Sequence, residues 1–155
     1  MPELTTFTRV QTPVLYDDDA GGNASGDDPA IWVHWYRPAD SLVIVTAKDA
    51  GLRVYELTGR QLQSVRPPAP PREGSPPGRF NNVDVAHDVV LDGERLDVAV
   101  VSDRGLNQVR TYRIDPAGAA AARPLVDVTA PRQPLVFQED QDGVDTEQTA
   151  YGLTV

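Results

Sequence analysis

The sequence predicts an all-β protein assembled from repeated four-stranded units, as in a β-propeller. A helical hydrophobic period is nearly absent, and short β-rich segments recur between turn residues. In addition, segment 42–55 aligns with 98–112, and Asp27 aligns with Asn81, at an offset of about 54 to 57 residues. A repeat of this length with about four short strands is typical of propeller blades. A two-sheet sandwich is the alternative.

The first repeat covers residues 26–78 and follows a lead-in of residues 1–25. Its predicted strands are 30–35, which alternates around Ile31, Val33 and Trp35, the apolar run 42–46, and the segments 52–57 and 61–65, which the turn Thr58-Gly59 joins. Residues 66–78 hold six of the 14 prolines. Because proline cannot donate to a strand ladder, this Pro-rich loop is predicted to be irregular and to lie on the surface.

The second repeat covers residues 79–148, and a third opens at 149–155. The predicted strands of the second repeat are 83–85, 96–101, 109–114 and 125–128. Asp115-Pro116 starts a turn, and the alanines that follow, up to Ala122, form either one helical turn or a loose loop. The acidic segment 138–148 is predicted to be a loop.

Two blades and the start of a third cannot close a propeller, which typically has ~4–8 blades. They would leave open sheet edges and an uncovered apolar face. We therefore expect the 155 residues to form one incomplete propeller domain that is a piece of a longer protein. We also expect such a chain to self-associate through its open edges.

Composition excludes several classes of function. The net charge of −9 opposes binding to nucleic acid and to anionic membranes, and no apolar run is long enough to span a bilayer. Without cysteine, the chain has no disulfide, thiolate metal site or cysteine nucleophile. The N-terminal residues lack a basic and an apolar region, so we expect no signal peptide in this chain. If the substrate is anionic, something must reverse the local field, and bound divalent cations are the simplest way to do so. The alternative is that the acidity only aids solubility.

Acidic and amide side chains occupy the same position in both repeats. Asp27 and Asp28 precede the first predicted strand of one repeat. Asn81, Asn82 and Asp84 hold the corresponding place in the other. In a propeller the loop that enters each inner strand faces the central channel, and carboxylate, amide and carbonyl oxygens are the ligands that calcium prefers. The alternative is that these residues are ordinary turn formers.

Lys48 and Arg104 also occupy equivalent positions, each just after a predicted strand. Two cations on the same rim as the carboxylates would make a place for phosphate. A unit charge pair at ~4 Å is worth ~4 kcal/mol at an effective dielectric constant of ~20. Solvated surface cations are the alternative interpretation.

Several phosphatase chemistries lack their residues in this sequence. It has no Arg-His-Gly signature for a histidine nucleophile and no phosphate-binding glycine loop. His34 and His87 have no partner histidine at metal-ligand spacing, and we expect His34 to be a packed or exposed strand residue. Hydrolysis by a metal-activated water, without a covalent intermediate, remains.

At these residues the chain resembles the β-propeller phytases, also called alkaline phytases, over almost all of residues 26–155. Residues 27–32, Asp-Asp-Pro-Ala-Ile-Trp, are similar to the family motif D-[AG]-D-[DE]-P-A-x-W, and residues 81–84, Asn-Asn-Val-Asp, to its N-N-x-D motif. Matching residues then follow in the same order, namely Lys48, Ser102-Asp103-Arg104 and Tyr151-Gly152-Leu153. Each motif alone is weak, and their shared order makes the resemblance specific.

The resemblance implies a secreted, six-bladed propeller enzyme that hydrolyses myo-inositol hexakisphosphate (phytate) with several calcium ions as cofactors. By the same resemblance, calcium would be held by Asp28 and by the backbone carbonyls of Pro29 and Val83. Asn82 and Asp84 would shape the calcium loop.

The resemblance also assigns the reacting groups. Asp27 would sit among the calcium ions and the attacking water, Lys48 and Arg104 would hold the substrate phosphates, and Tyr151 would line the same site. The implied mechanism is direct attack of a calcium-bridged water on phosphorus. Two alternatives are a calcium- or phosphate-binding module without turnover and a protein-interaction propeller.

The sequence departs from the family pattern at three places. Ser25 stands where the first motif often begins with Asp. Asp49 follows Lys48 where some members have a second lysine. Ala86-His87 replaces the Arg-Tyr that often follows the second motif.

Overall fold

In the part of the chain that the structure describes, eight strands form two four-stranded antiparallel sheets, each with its strands in chain order. The computed structural model describes residues 7–16, 23–121, 123–146 and 149–155. Parts of the predicted lead-in, together with Ala122 and Gln148, lie outside these residues. The prediction of an all-β chain with two four-stranded repeats is confirmed, and each sheet has the meander order of a propeller blade.

The first sheet lies within residues 26–78. Its strands are β1 (Pro29–Trp32), β2 (Leu42–Thr46), β3 (Leu52–Glu56) and β4 (Gln61–Val65). Gly51, at the turn between β2 and β3, has φ of +79°, and a Cβ there would lie 2.0 Å from the carbonyl oxygen of Val65. Only glycine fits such a turn.

The alternation around Ile31, Val33 and Trp35 marks the exposed face of this segment. These side chains are 60%, 52% and 77% exposed, whereas Ala30 and Trp32 are buried. The predicted strand 30–35 was also too long, because β1 ends at Trp32. The buried register wins because it places the large Trp32 ring between the two sheets.

Three strands of the second sheet are longer than predicted, and the last one is shorter by one residue. The strands are β5 (Phe80–Leu91), β6 (Glu94–Asp103), β7 (Gln108–Ile114) and β8 (Leu125–Asp127). The predicted segment 83–85 is only the central part of the 12-residue β5, whose pairing with β6 shifts register at two places. Polar residues in β5, such as Asn81 and Asp88, hide this strand from a search for apolar runs.

Short helical segments lie between and after the strands. Gly118–Ala120 forms a 3-10 turn, which selects the helical one of the two predicted alternatives. The prediction of a loop over 138–148 was wrong in part, because α1 (Gln141–Asp145) forms there. Asp140 caps this helix by accepting a hydrogen bond from Gly143 N at 2.9 Å, and Val144 is buried. No helix in the described part of the chain is long and apolar enough to cross a membrane.

The main core lies between the two sheets and draws on both of them. Its buried members are Ala30, Trp32, Leu42, Ile44, Leu52, Val54, Phe80, Val83, Ala99, Val101, Tyr112, Ile114 and Leu125. Every strand except β4 supplies at least one of these residues, and Leu62 and Val65 of β4 pack against them. Burial of this apolar surface holds the sheets face to face.

Trp32 and Gln63 both make polar contacts across the interface between the sheets. The indole N–H of Trp32 donates to Asp97 Oδ2 at 2.6 Å. The side chain of Gln63 exchanges two hydrogen bonds with the backbone of Leu125, at 2.9 and 2.8 Å. Burial alone would raise the pKa of Asp97, but hydrogen bonds from Trp32, the Asp88 N–H and His87 outweigh it and hold the pKa below 3.8.

We predict that Asp97→Asn lowers the free energy of unfolding by about 1–3 kcal/mol, because the new amide faces N–H donors. The depressed pKa means that the Asp97 contribution is present above pH 3.8 and is lost as the pH falls further. Urea unfolding should therefore show a wild-type advantage at neutral pH that shrinks in acid. Asp88→Asn, in an exposed ion pair, is the control. An equal effect of both variants would contradict the assignment.

We also predict that the exposed apolar face of β1 drives the expected self-association. Ile31 is 60% exposed on the edge strand β1, and Phe137 is 70% exposed outside the strands. Ile31→Lys should reduce dimers and larger species in sedimentation velocity, because a lysine on an edge strand opposes pairing. Phe137→Lys adds the same charge away from the sheet edges and should not. A wild-type chain that stays monomeric at all concentrations would refute the prediction.

Candidate functional site

The approach to β1 and the start of β5 meet at one end of the two sheets. Asp28 Oδ2 accepts hydrogen bonds from the backbone N–H of Val83 at 3.0 Å and from the side-chain amide of Asn82 at 3.1 Å. The two positions that the repeat makes equivalent are therefore in direct contact. A charged acceptor strengthens both bonds relative to neutral ones.

Asp27 makes the corresponding contact one residue earlier. Its Oδ2 accepts from Asn81 Nδ2 at 3.0 Å, and its Oδ1 lies 4.0 Å from Lys48 Nζ. Lys48 Nζ also donates to Ser25 Oγ at 3.2 Å. The side chains of Asp27 and Lys48 are 25% and 22% exposed, so both groups remain accessible to a ligand. The structure thus brings a predicted carboxylate and a predicted cation together.

Thr46 connects the two loops from the buried face of β2, a role that no sequence motif indicated. Its buried hydroxyl accepts from Asp28 N at 3.0 Å and donates to the backbone oxygen of Asn81 at 2.6 Å. Leu42, Ile44 and Thr46 share the buried face of β2. The sequence feature that could have indicated this role is a hydroxyl side chain at the end of an otherwise apolar strand.

Backbone carbonyls point into the same region. Neighbouring residues of an antiparallel strand present their N–H and C=O alternately toward the partner strand and away from it. The Asp28 carbonyl accepts from Thr46 N at 3.0 Å, so the Pro29 carbonyl faces away from β2. The Val83 N–H faces Asp28, which places the Val83 carbonyl on that side also.

These donors fit calcium in kind. Carboxylates, amide oxygens and carbonyls are hard ligands, and calcium takes ~6–8 of them. Among the residues that the structure describes, the buried Oδ1 of Asn81 has no hydrogen-bond partner, which leaves one more oxygen next to Asp27. No group of three or more His, Cys, Asp or Glu side chains forms a metal cluster within that part of the chain. Calcium here would therefore need carbonyl, amide and water oxygens beside the two carboxylates.

Asp84 connects β5 to the segment 151–155. Its carboxylate accepts from Val155 N at 3.0 Å, from Val85 N at 2.8 Å and from the Thr154 hydroxyl at 3.2 Å. The N–H groups of Val155 and Val85 lower the pKa of Asp84, so the carboxylate stays charged. These contacts give Asp84 an anchoring role beside the site.

Arg104 and Tyr151 reach the same rim through Ser102. The Ser102 hydroxyl accepts from Asn82 N and donates to the Tyr151 carbonyl, each at 2.9 Å. The guanidinium of Arg104 lies 5.3 Å from the centre of the Tyr151 ring, a cation–π distance. The structure therefore links Arg104 and Tyr151 to Asn82.

The turn that carries Arg104 is fixed by the end of the Pro-rich loop. Arg104 N donates to Arg79 O at 2.7 Å, and Asp103 Oδ1 accepts from Arg79 N at 2.9 Å. Burial raises the pKa of Asp103, although the Arg79 N–H and the Arg110 guanidinium oppose that rise. A Cβ at Gly105 would lie 2.0 Å from the Pro77 carbonyl oxygen, so this approach requires glycine.

A cleft of about 410 Å³ opens beside this turn. It is lined by Asn23, Asp49, Pro76, Pro77, Arg79, Arg104, Gly105, Val144 and Thr149. The two histidines lie elsewhere. His34 is buried, and His87 Nδ1 lies 3.1 Å from Asp97 Oδ2. Neither histidine belongs to the group formed by Asp27 and Asp28. His34 is packed, as expected, but the expectation that it lies in a strand was wrong, because β1 ends at Trp32.

Comparisons with known proteins show the family of the chain. A model of the phytase family matches residues 5–143 of the chain. The chain is 39% identical over 121 residues to a 3-phytase of Bacillus subtilis (strain 168). The match covers 77% of this chain and 28% of that relative, so the chain spans under a third of the enzyme it matches.

We predict that Thr46→Val lowers the free energy of unfolding by about 1–3 kcal/mol, because it leaves the Asp28 N–H and the Asn81 carbonyl without their hydrogen bonds to the hydroxyl. Thr46→Ser keeps the hydroxyl and should lose much less. The measurement is urea unfolding of both variants beside the wild type. If valine and serine destabilise equally, the hydroxyl does not join the two loops.

Proposed function

This chain belongs to the phytase family, and we propose that it carries the calcium and phosphate contacts of an enzyme that hydrolyses myo-inositol hexakisphosphate. One observation supports the proposal most strongly: Asp28 of the first repeat bonds Asn82 and Val83 of the second, with Asp27 and Lys48 alongside. A fold alone would not support an enzyme, whereas oxygen donors and cations grouped on one rim do.

The proposed calcium ligands are Asp28 and the carbonyls of Pro29 and Val83, with Asn81 as a further oxygen donor. Bound calcium would supply positive charge that polarises the phosphate and lowers the pKa of a coordinated water. Asn82 and Ser102 position the loop, since Asn82 holds the Asp28 carboxylate and Ser102 holds the Asn82 backbone. Asp84 anchors the segment 151–155 against this loop.

The reacting groups in the proposal are Asp27, Lys48 and Arg104. The Asp27 carboxylate would accept a hydrogen bond from the attacking water and orient it toward phosphorus. Lys48 and Arg104 would bind the phosphate oxygens and offset their growing charge in the transition state. Tyr151 would hold the Arg104 guanidinium over its ring, which limits the orientations that Arg104 can adopt.

The charge of the whole chain supports a metal-dependent enzyme. A net charge of −9 repels a highly phosphorylated substrate unless cations at the site reverse the local potential. Lys48 and Arg104 supply part of that reversal, and calcium would supply more. We also propose that the protein acts outside the cell, where calcium modules work with dissociation constants of ~10⁻⁴–10⁻³ M.

A calcium- or phosphate-binding module without turnover is the second candidate. It is favoured by the small number of carboxylates, since no cluster of three acidic or histidine side chains forms in the described segments. Calcium binding without phosphate release would support this candidate.

The proposal predicts that the chain releases phosphate from myo-inositol hexakisphosphate near neutral pH with calcium present, and that excess chelator stops the release. The readout is inorganic phosphate against time. Release that survives the chelator would overturn the role of calcium. Binding of calcium without release would decide for the second candidate.

Lys48→Met should lower kcat/KM by about 10- to 100-fold, which corresponds to ~1.4–2.7 kcal/mol of transition-state stabilisation. Arg95→Met is the matched control, because Arg95 pairs with the exposed Asp88 away from the rim. Steady-state kinetics at saturating calcium measures both. Similar activity of the two variants would remove Lys48 from the site.

A further inference from the structure

Arg79 brings a third cation to the rim that the motifs did not reveal. It immediately precedes β5 and lines the 410 Å³ cleft together with Arg104. Its backbone N–H bonds Asp103 and its carbonyl bonds Arg104 N, so its main chain is fixed on both sides. The Arg79 side chain therefore starts from a rigid position next to the Arg104 turn.

The guanidinium of Arg79 is held by a carboxylate. Arg79 Nη1 lies 2.8 Å from Asp49 Oδ1, and their side chains are 23% and 32% exposed. With the Asn23 amide oriented so that its oxygen faces Arg79, that oxygen also accepts from Nη2 at 2.6 Å. Asp49 and Asn23 thus contact the two terminal nitrogens of Arg79, whereas the buried Nε has no hydrogen-bond partner among the described residues.

The ion pair between Asp49 and Arg79 lies in the wall of the cleft, where it can affect the binding of an anion. Asp49 directly follows Lys48, and it lines the cleft with Arg79 and Arg104. The residues that line the cleft include two guanidinium groups and one carboxylate, in a chain whose net charge is −9. A volume of about 410 Å³ is more than ten times the ~30 Å³ share of a water molecule, so a phosphate group has room.

We propose that Arg79 binds a phosphate group of the substrate, and that Asp49 limits this binding by competing for the same guanidinium. The inference rests on the proposed function, because it assigns the cleft to the same phosphorylated substrate. Arg79, just before β5, adds a cation to the rim, where the residue after Lys48 is the acidic Asp49. Asp49 is then a specificity-determining residue, since its ion pair with Arg79 must break before an anion binds that guanidinium.

The chemistry favours this exchange of partners. A guanidinium matches phosphate in a bidentate geometry, and a phosphate carries more charge than one carboxylate. A partly exposed ion pair is worth little in free energy, so its loss opposes binding only modestly. A ligand with several phosphates can place one on Arg79 while another lies near Lys48.

The test is calorimetric titration with myo-inositol hexakisphosphate at low ionic strength, in calcium-free buffer with chelator. Asp49→Asn should tighten binding by about 3- to 10-fold, and tenfold corresponds to ~1.4 kcal/mol. Arg79→Gln should weaken it by a similar factor. In the Arg79→Gln background, Asp49→Asn should no longer have an effect beyond its charge.

The matched control is Asp92→Asn, which removes the same charge from the exposed turn between β5 and β6. Asp92 has φ of +51°, a conformation that asparagine tolerates well. Comparison with this variant separates the local effect of Asp49 from the change in net charge. Thermal unfolding checks that each variant folds, and Arg79→Lys, which keeps the charge, replaces Arg79→Gln if the glutamine variant does not fold.

An Asp49→Asn variant that binds no more tightly than Asp92→Asn would overturn the proposal. Weaker binding in both Asp49→Asn and Arg79→Gln would also overturn it, because a purely structural ion pair predicts losses on both sides. The titration contains no calcium and needs no turnover. A failure of calcium-dependent phosphate release would therefore leave its result intact, and the two proposals can fail separately.

Discussion

The contact on which the rest of the site depends is the Asp28 carboxylate, which accepts the Val83 N–H and the Asn82 amide. This charge-assisted pair joins the loop of one sheet to the first residues of the next. Thr46 reinforces it from the buried side by bonding the backbone of both loops. The core between the sheets brings the loops near each other, and these bonds then fix their register.

The same contact orders the cations around it. Asn82 leads through Ser102 to Tyr151, whose ring lies under the Arg104 guanidinium. Each step is a short hydrogen bond or a ring contact between residues of different segments, so a displacement of β5 would move the Arg104–Tyr151 pair as well. These contacts restrict the positions that the Arg104 guanidinium and the Tyr151 ring can adopt.

The sequence was informative where a repeated pattern carried the signal. The offset between Asp27 and Asn81 was enough to predict that the two loops are equivalent, and apolar runs such as 42–46 predicted strands. The face of β1 could not be read from alternation, because Ile31 and Trp32 are both apolar and only the contacts of Trp32 in the core decide between them. The roles of Arg79 and Thr46 were not predicted for another reason: they come from partners 18 to 35 residues away in the chain.

Calcium binding by the chain, measured calorimetrically with the metal alone, tests the shared site most directly. If Asp28 and its neighbours form one site, wild-type chain binds calcium and Asp28→Asn weakens the affinity at least about tenfold, a loss of ~1.4 kcal/mol. Asp92→Asn, which removes the same charge elsewhere, should bind as the wild type does. Equal calcium affinity in Asp28→Asn and wild type, or no binding by the wild type, would contradict a calcium site built across the two loops.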